Sequence, residues 1–144
     1  MRVPREVLRM LAERPLFSGL SQAELRSVGG LGTSVVATRG EVLTAEGARG
    51  MEAFLIVTGS ARCLVGEIDA ATLGPGDLFG EMSLLDGAPR SATVIADSEM
   101  RVTVFDRSEF LRMIAVSPKV ATKLLVAMAT RIRALDHEFA ATHG

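Results

Sequence analysis

Between Thr33 and Phe105 the sequence breaks into seven short β-prone runs, at 34–37, 41–43, 54–58, 62–65, 68–73, 93–95 and 101–105. Arg39-Gly40, Glu46-Gly47, Thr58-Gly59, Gly66-Glu67 and Gly74-Pro75-Gly76-Asp77 stand between them as turns, because glycine reaches positive φ and proline presets a turn dihedral. Many short strands at nearly even spacing predict a sandwich, barrel or jelly roll. A parallel α/β sheet needs crossover helices between strands, and this zone has none. Residues 54–57 are continuously apolar, the pattern of a central strand, whereas Arg62 and Leu64, then Arg101, Thr103 and Phe105, mark alternation.

Helical patterns flank this zone. Residues 4–13 place Val7, Leu8 and Leu11 on one side before Pro15 interrupts them. Ser21 with Glu24 three positions later is a capping box for a second short helix, which Gly29, Gly30 and Gly32 end. No Lys-Ser or Lys-Thr follows those glycines, so they predict a turn rather than a triphosphate cradle. Asp106 caps a turn containing Phe110, Leu111 and Ile114, and Ser117-Pro118 starts a longer helix. Along that helix Ala121, Leu125, Met128, Ile132, Leu135 and Phe139 recur at steps of four and three in one stripe. The stripe either covers the β zone or packs against its copy in a homodimer.

At 144 residues the chain fits one domain, with a helical lead-in (4–30), a β zone (33–105) and C-terminal helices (107–139). A formal charge of −1 provides no global basic field for nucleic acid or anionic membrane. Cys63 is the single cysteine, which excludes an intrachain disulfide and a multi-cysteine metal site; in its strand it reads as a small buried hydrophobe. The N-terminus has no signal-peptide core, and no apolar run approaches the roughly 20 residues of a spanning helix. A cytoplasmic protein without membrane contact is the expectation.

One segment carries chemistry. Residues 73–100 contain Asp77, Glu81, Asp86, Asp97 and Glu99, and Arg90 is their only basic companion. Its neighbours Gly87, Ala88, Pro89, Ser91 and Ala92 are small, and a guanidinium fork suits phosphate. Residues 81–85 form a short helical turn whose first amides lie beside Gly80, with Ser83 and Ser91 as hydroxyl donors. The residues alone leave two readings: an anion site, or a structural ion pair of Arg90 with Glu81 or Asp86.

The string Phe79-Gly80-Glu81-Met82-Ser83-Leu84-Leu85, followed by Pro89-Arg90-Ser91-Ala92-Thr93, resembles the phosphate-binding cassette of the cyclic-nucleotide-binding domain family. Leu16-Phe17-Ser18-Gly19-Leu20-Ser21, Gly40-Glu41-Val42-Leu43 and Phe54-Leu55-Ile56-Val57-Thr58-Gly59 extend the resemblance over residues 11–110. It implies an α+β fold: an antiparallel β-roll of the jelly-roll type (a double-stranded β-helix), holding the cassette at 79–93 between N-terminal and C-terminal helices. It also implies that Arg90 binds the cyclic phosphate and Glu81 accepts from the ribose 2′-hydroxyl. Gly80 gives close backbone approach, the Met82 and Ser83 amides serve ribose or phosphate, and Ser91 and Ala92 lie beside phosphate and base. In this family a residue of the last helix often caps the base; Met128, Arg131 and Ile132 are candidates.

The expected function is a sensor that binds cyclic AMP, with cyclic GMP as the alternative ligand. The competing reading is an interaction module of the same fold that meets a partner protein through its last helix. Residues 140–144 leave no room for a helix-turn-helix, so direct DNA binding is not expected of this chain. An enzyme is not expected either. GxSxG, HExxH and Cys-His patterns are missing, Asp97 and Glu99 read as turn residues, and His137 and His143 lie far from the cassette. No metal set suggests itself.

Overall fold

The computed structural model describes residue 3 and residues 5–143, with side chains through residue 130 apart from residue 15, and at Arg133. Helix α1 (Arg5–Ala12) buries Leu8 and Leu11 and gives way to a 3-10 turn at Pro15–Phe17. Helix α2 (Gln22–Gly29) opens on the expected capping box: Ser21 Oγ accepts the Glu24 amide at 3.1 Å and Glu24 Oε1 accepts the Ser21 amide at 2.9 Å. Gly29 completes the helix and the Gly30 amide closes it on Arg26 O, so the glycine cluster is a turn.

Eight strands follow: β1 (Thr33–Ala37), β2 (Val42–Thr44), β3 (Ala53–Thr58), β4 (Ala61–Val65), β5 (Ile68–Leu73), β6 (Leu78–Phe79), β7 (Thr93–Ala96) and β8 (Met100–Phe105). They form two antiparallel four-stranded sheets, ordered β1-β8-β3-β6 and β2-β7-β4-β5. This is the α+β jelly-roll arrangement that the family resemblance implies, one of the three architectures that the strand spacing allows. The sequence reading missed β6, a two-residue strand paired with β3 at Phe54↔Phe79 and Leu55↔Leu78. It is too short for alternation to show.

Two cores meet at β3. Ala53 and Leu55 face a cluster under the helices with Leu11, Phe17, Leu25, Phe105, Phe110 and Met113. Phe54 and Ile56 face the space between the sheets with Phe79, Val94, Met100 and Val102. Side chains alternate across a strand, so an element buried on both faces must read as a continuous apolar run, and residues 53–57 do.

Helix α3 (Glu81–Asp86) lies between β6 and β7. Helix α4 (Arg107–Ala115) starts on Asp106, which forms a second capping box with Glu109. Helix α5 (Pro118–His143) docks through buried Val120 and Leu124, with Met128 packed on the same cluster. Lys119 Nζ donates to Gly19 O at 2.9 Å, and Lys123 Nζ donates to Ser18 O and Oγ. Of the two uses left open for the stripe, Leu125 does not serve the intrachain one. The inward face runs 120, 124, 128, a pure i, i+4 progression, and Leu125 points outward at 68% exposure. Ala121 is half-buried. The side chains of Arg131, Ile132, Leu135, His137, Phe139 and His143 lie outside the described residues. Among the described residues no single helix is long and apolar enough to cross a membrane.

Candidate functional site

Arg90 is held by backbone on every side. Its amide donates to Ala48 O at 2.8 Å and its carbonyl accepts the Gly47 amide at 2.8 Å, fastening it to the loop between β2 and β3. Its Nη1 donates to Gly80 O and its Nη2 to Glu52 O, both at 2.8 Å. The guanidinium carbon stands 5.8 Å from the centroid of Phe54, which stacks on Phe79 at 4.8 Å. Two glycines make this packing possible. A Cβ at Gly80, where φ is +82°, would lie 2.6 Å from Nη1, and one at Gly50 would lie 2.8 Å from Cζ and Nε.

The result is a cation at 8% exposure whose hydrogen bonds go to carbonyls. Burial pushes Arg90 below its ordinary pKa, and the negative charges of Glu52 and Glu81 pull it back up. Of the pairings the sequence left open, Glu81 acts on Arg90 through its charge, while the guanidinium's hydrogen bonds go to these carbonyls. Two of the five guanidinium N–H donors are spent on them, and three remain for an anion.

Glu81 opens α3 and is buried at 4% exposure. Gly80 precedes it in the left-handed conformation and carries no side-chain cap, so the first amides of this short helix have no intrahelical acceptor. Ser83 is buried, whereas Met82 and Ser91 are exposed and Ala92 is half-buried.

A cavity of about 280 Å³ brings all seven expected site residues together: Gly80, Glu81, Met82, Ser83, Arg90, Ser91 and Ala92. Its remaining wall comes from the second sheet through Thr44, Cys63, Ala71, Leu73 and Val94, joined by Leu78 and Phe79. Cys63, Ala71 and Val94 are register partners on adjacent strands, so they present one apolar surface to the cavity. Cys63 is half-buried on this wall rather than sealed in the core. Thr44 is fixed by its hydroxyl, which donates to Ala92 O at 3.1 Å.

Chemically, the cavity is lined by a desolvated cation, a carboxylate and an apolar wall. That arrangement suits a ligand with a phosphate, a hydroxyl donor and a flat apolar body. The sequence reading missed Gly50 and Glu52, as well as the wall residues Thr44, Cys63, Ala71, Leu73 and Val94. Glu46-Gly47 was the one signal in the loop that carries Gly50 and Glu52. The acidic pair flagged at 97 and 99 lies apart from the cavity, and Asp97 Oδ1 is 3.5 Å from Arg62 Nε. Among the described residues no group of three or more His, Cys, Asp or Glu is placed to hold a metal.

A family model described as cyclic nucleotide-binding domain matches residues 34–117, more than half of the chain. The Cyclic AMP receptor protein of Thermus thermophilus is 33% identical over 129 residues, spanning 86% of this chain and 60% of that protein. The cAMP-dependent protein kinase regulatory subunit of Mycosarcoma maydis is 36% identical over 115 residues, or 74% of this chain and 22% of that protein. The crystal structure of Thermus thermophilus Catabolite Activator Protein superposes with a TM-score of 0.82 at 32% identity, covering 89% of this chain and 62% of that one. The chain thus spans less than two thirds of the length of each of these relatives.

Proposed function

The chain belongs to the cyclic nucleotide-binding domain family, and from that premise we propose that it is a cyclic AMP sensor whose cassette holds the nucleotide between Arg90 and Glu81. One observation carries the reading. A buried guanidinium with three donors beyond those given to carbonyls lines a cavity that is also lined by a buried carboxylate. In the proposed pose the cyclic phosphate takes charge-assisted bonds from Arg90, with the Met82 and Ser83 amides alongside. Glu81 accepts from the ribose 2′-hydroxyl, since a carboxylate needs a donor and is repelled by phosphate. Ser91 and Ala92 flank the phosphate and base, and the base lies along Cys63, Leu73 and Val94. The module has no catalytic step in this reading: its output is a shift of the helices around the β-roll, passed to a partner or to a second copy. The names of both relatives with cyclic AMP in them support that nucleotide over cyclic GMP.

Isothermal titration with cyclic AMP and cyclic GMP tests the proposal on the wild type, Arg90→Ala and Glu81→Ala. Loss of Arg90 removes charge-assisted phosphate contacts and is expected to cost roughly 3 kcal/mol, about a hundredfold in Kd. Loss of Glu81 removes a ribose contact and costs less. Equal affinity in wild type and Arg90→Ala would sink the pose. No saturable heat at millimolar nucleotide would favour the interaction-module reading, which the outward Leu125 and Val126 of α5 support.

A further inference from the structure

The face of α4 that turns away from the core is basic. Phe110 and Met113 dock the helix on the helical cluster, which leaves Arg107, Ser108, Leu111, Arg112 and Ala115 together on the outer side. Those five residues line an open cavity of about 560 Å³. Arg107 also lines a neighbouring cavity of about 400 Å³, with Arg49 and Met51 from the loop between β2 and β3 and Leu85 and Asp86 from α3. The shared arginine joins the two into one groove.

Three cations face one acid along it. Arg49, Arg107 and Arg112 are exposed, and none is ion-paired among the described residues. Asp86, the one acid among the described lining residues, accepts the Ala88 amide at 2.9 Å within its own turn. Asp106 and Glu109, at the start of α4, are engaged instead by the capping box and by the Gly32 amide. The positive excess is local, since the whole chain carries −1. Two apolar side chains lie among the arginines, Met51 at 61% and Leu111 at 42% exposure. A partner that brings carboxylates and an apolar side chain together complements both features. No aromatic side chain lines the groove, so a single-stranded nucleic acid finds no stacking platform there. The spacing suits an extended peptide: five positions from Arg107 to Arg112 rise about 7.5 Å along α4, close to the about 6.7 Å between alternate residues of a strand.

We propose that this groove docks an acidic, extended peptide segment of a partner protein, with carboxylates on alternate residues at Arg107 and Arg112 and an apolar side chain against Leu111. Ser83 lines both this groove and the cassette cavity, so the docked segment lies next to α3. The pose assigned to Arg90 plays no part in the docking.

The test is fluorescence anisotropy of a labelled, end-blocked peptide alternating Glu and Leu, titrated with the full chain. One control peptide carries Gln in place of Glu, and another Ser in place of Leu. The parent peptide is expected to saturate and to weaken as salt is raised, and each control to bind at least about tenfold more weakly. In the protein, Arg107→Glu combined with Arg112→Gln should weaken the parent peptide by at least about tenfold, and Leu111→Gln by several-fold. Thermal transitions should stay unchanged, because all three positions are exposed and residue 107 opens α4, where a carboxylate complements the helix dipole. Leu125→Asp, on a different helix, should bind the peptide as the wild type does. No saturable change up to millimolar chain, equal binding of the Gln peptide, or unchanged affinity in the double arginine variant overturns the proposal. So does a single-stranded oligonucleotide of the same charge that binds as tightly.

Discussion

Gly50 offers a sharper probe of the cassette than Gly80. Both lie against the Arg90 guanidinium, but Gly80 also needs positive φ, so its substitution mixes backbone strain with displacement of the side chain. Gly50 has no such requirement, and a methyl there meets Ser83 Cβ at 2.5 Å and Arg90 Nε at 2.8 Å. Gly50→Ala is therefore expected to shift the guanidinium and weaken cyclic AMP by about tenfold, ~1.4 kcal/mol, measured by titration beside a thermal melt. Arg90→Lys should fare no better, because an ammonium keeps the charge and loses the fork that reaches Gly80 O and Glu52 O together. Arg90 was legible in the sequence as a lone cation among carboxylates and small residues. Glu52 was not, because it contributes a backbone carbonyl, which any residue type supplies. Cys63, Ala71 and Val94 were hidden for a different reason: an apolar side chain facing a cavity and one facing a core give the same strand pattern.

Among the elements, the capping boxes were the clearest signals, and the one on α2 makes a pH prediction. Glu24 is held below its ordinary pKa of 4.5, first by the hydrogen bond from the Ser21 amide, in an exposed setting. The folded value lies below the unfolded one, so the stabilisation is present above 4.5 and is lost as pH falls through the folded value. NMR titration should place the Glu24 carboxyl below 4.5, and Glu24→Gln should remove the acid-dependent fraying of the α2 amides. Helix α5 starts where it was read, and of the two uses left open for its stripe, cover for the β zone or a homodimer, the first belongs to Leu124 rather than Leu125. A four-three stripe and an i, i+4 row share Met128, and heptad spacing alone does not say which of Leu124 and Leu125 meets the core. Contact with Leu11, Phe17 and the rest of the helical cluster decides for Leu124, a tertiary choice with no local sequence signature. Strand β6 escaped notice because two residues between a Gly-Pro-Gly-Asp turn and Gly80 carry no period.

For the molecule as a whole, the helix, β-roll, helix order was legible because turn residues punctuate the strands so regularly. What α5 presents to its surroundings was left between two uses, one of them a homodimer through the stripe that contains Leu125. Leu125 and Val126 are 68% and 60% exposed on adjacent positions of a helix that already buries Val120 and Leu124. An apolar strip on the outer side of a docked helix is a surface for self-association. Sedimentation velocity is expected to show a concentration-dependent dimer for the wild type and a monomer for Leu125→Asp with Val126→Asp. The thermal transition should be unaffected, since neither residue is in the core. The sharing of β3 between two cores has a different consequence, one of timing. A strand whose alternate side chains anchor both clusters cannot open toward solvent without dismantling both, so no local fluctuation exposes its backbone. The amides of Leu55 and Ile56 should exchange with deuterium only through global unfolding, and their exchange rates should report the stability of the entire fold.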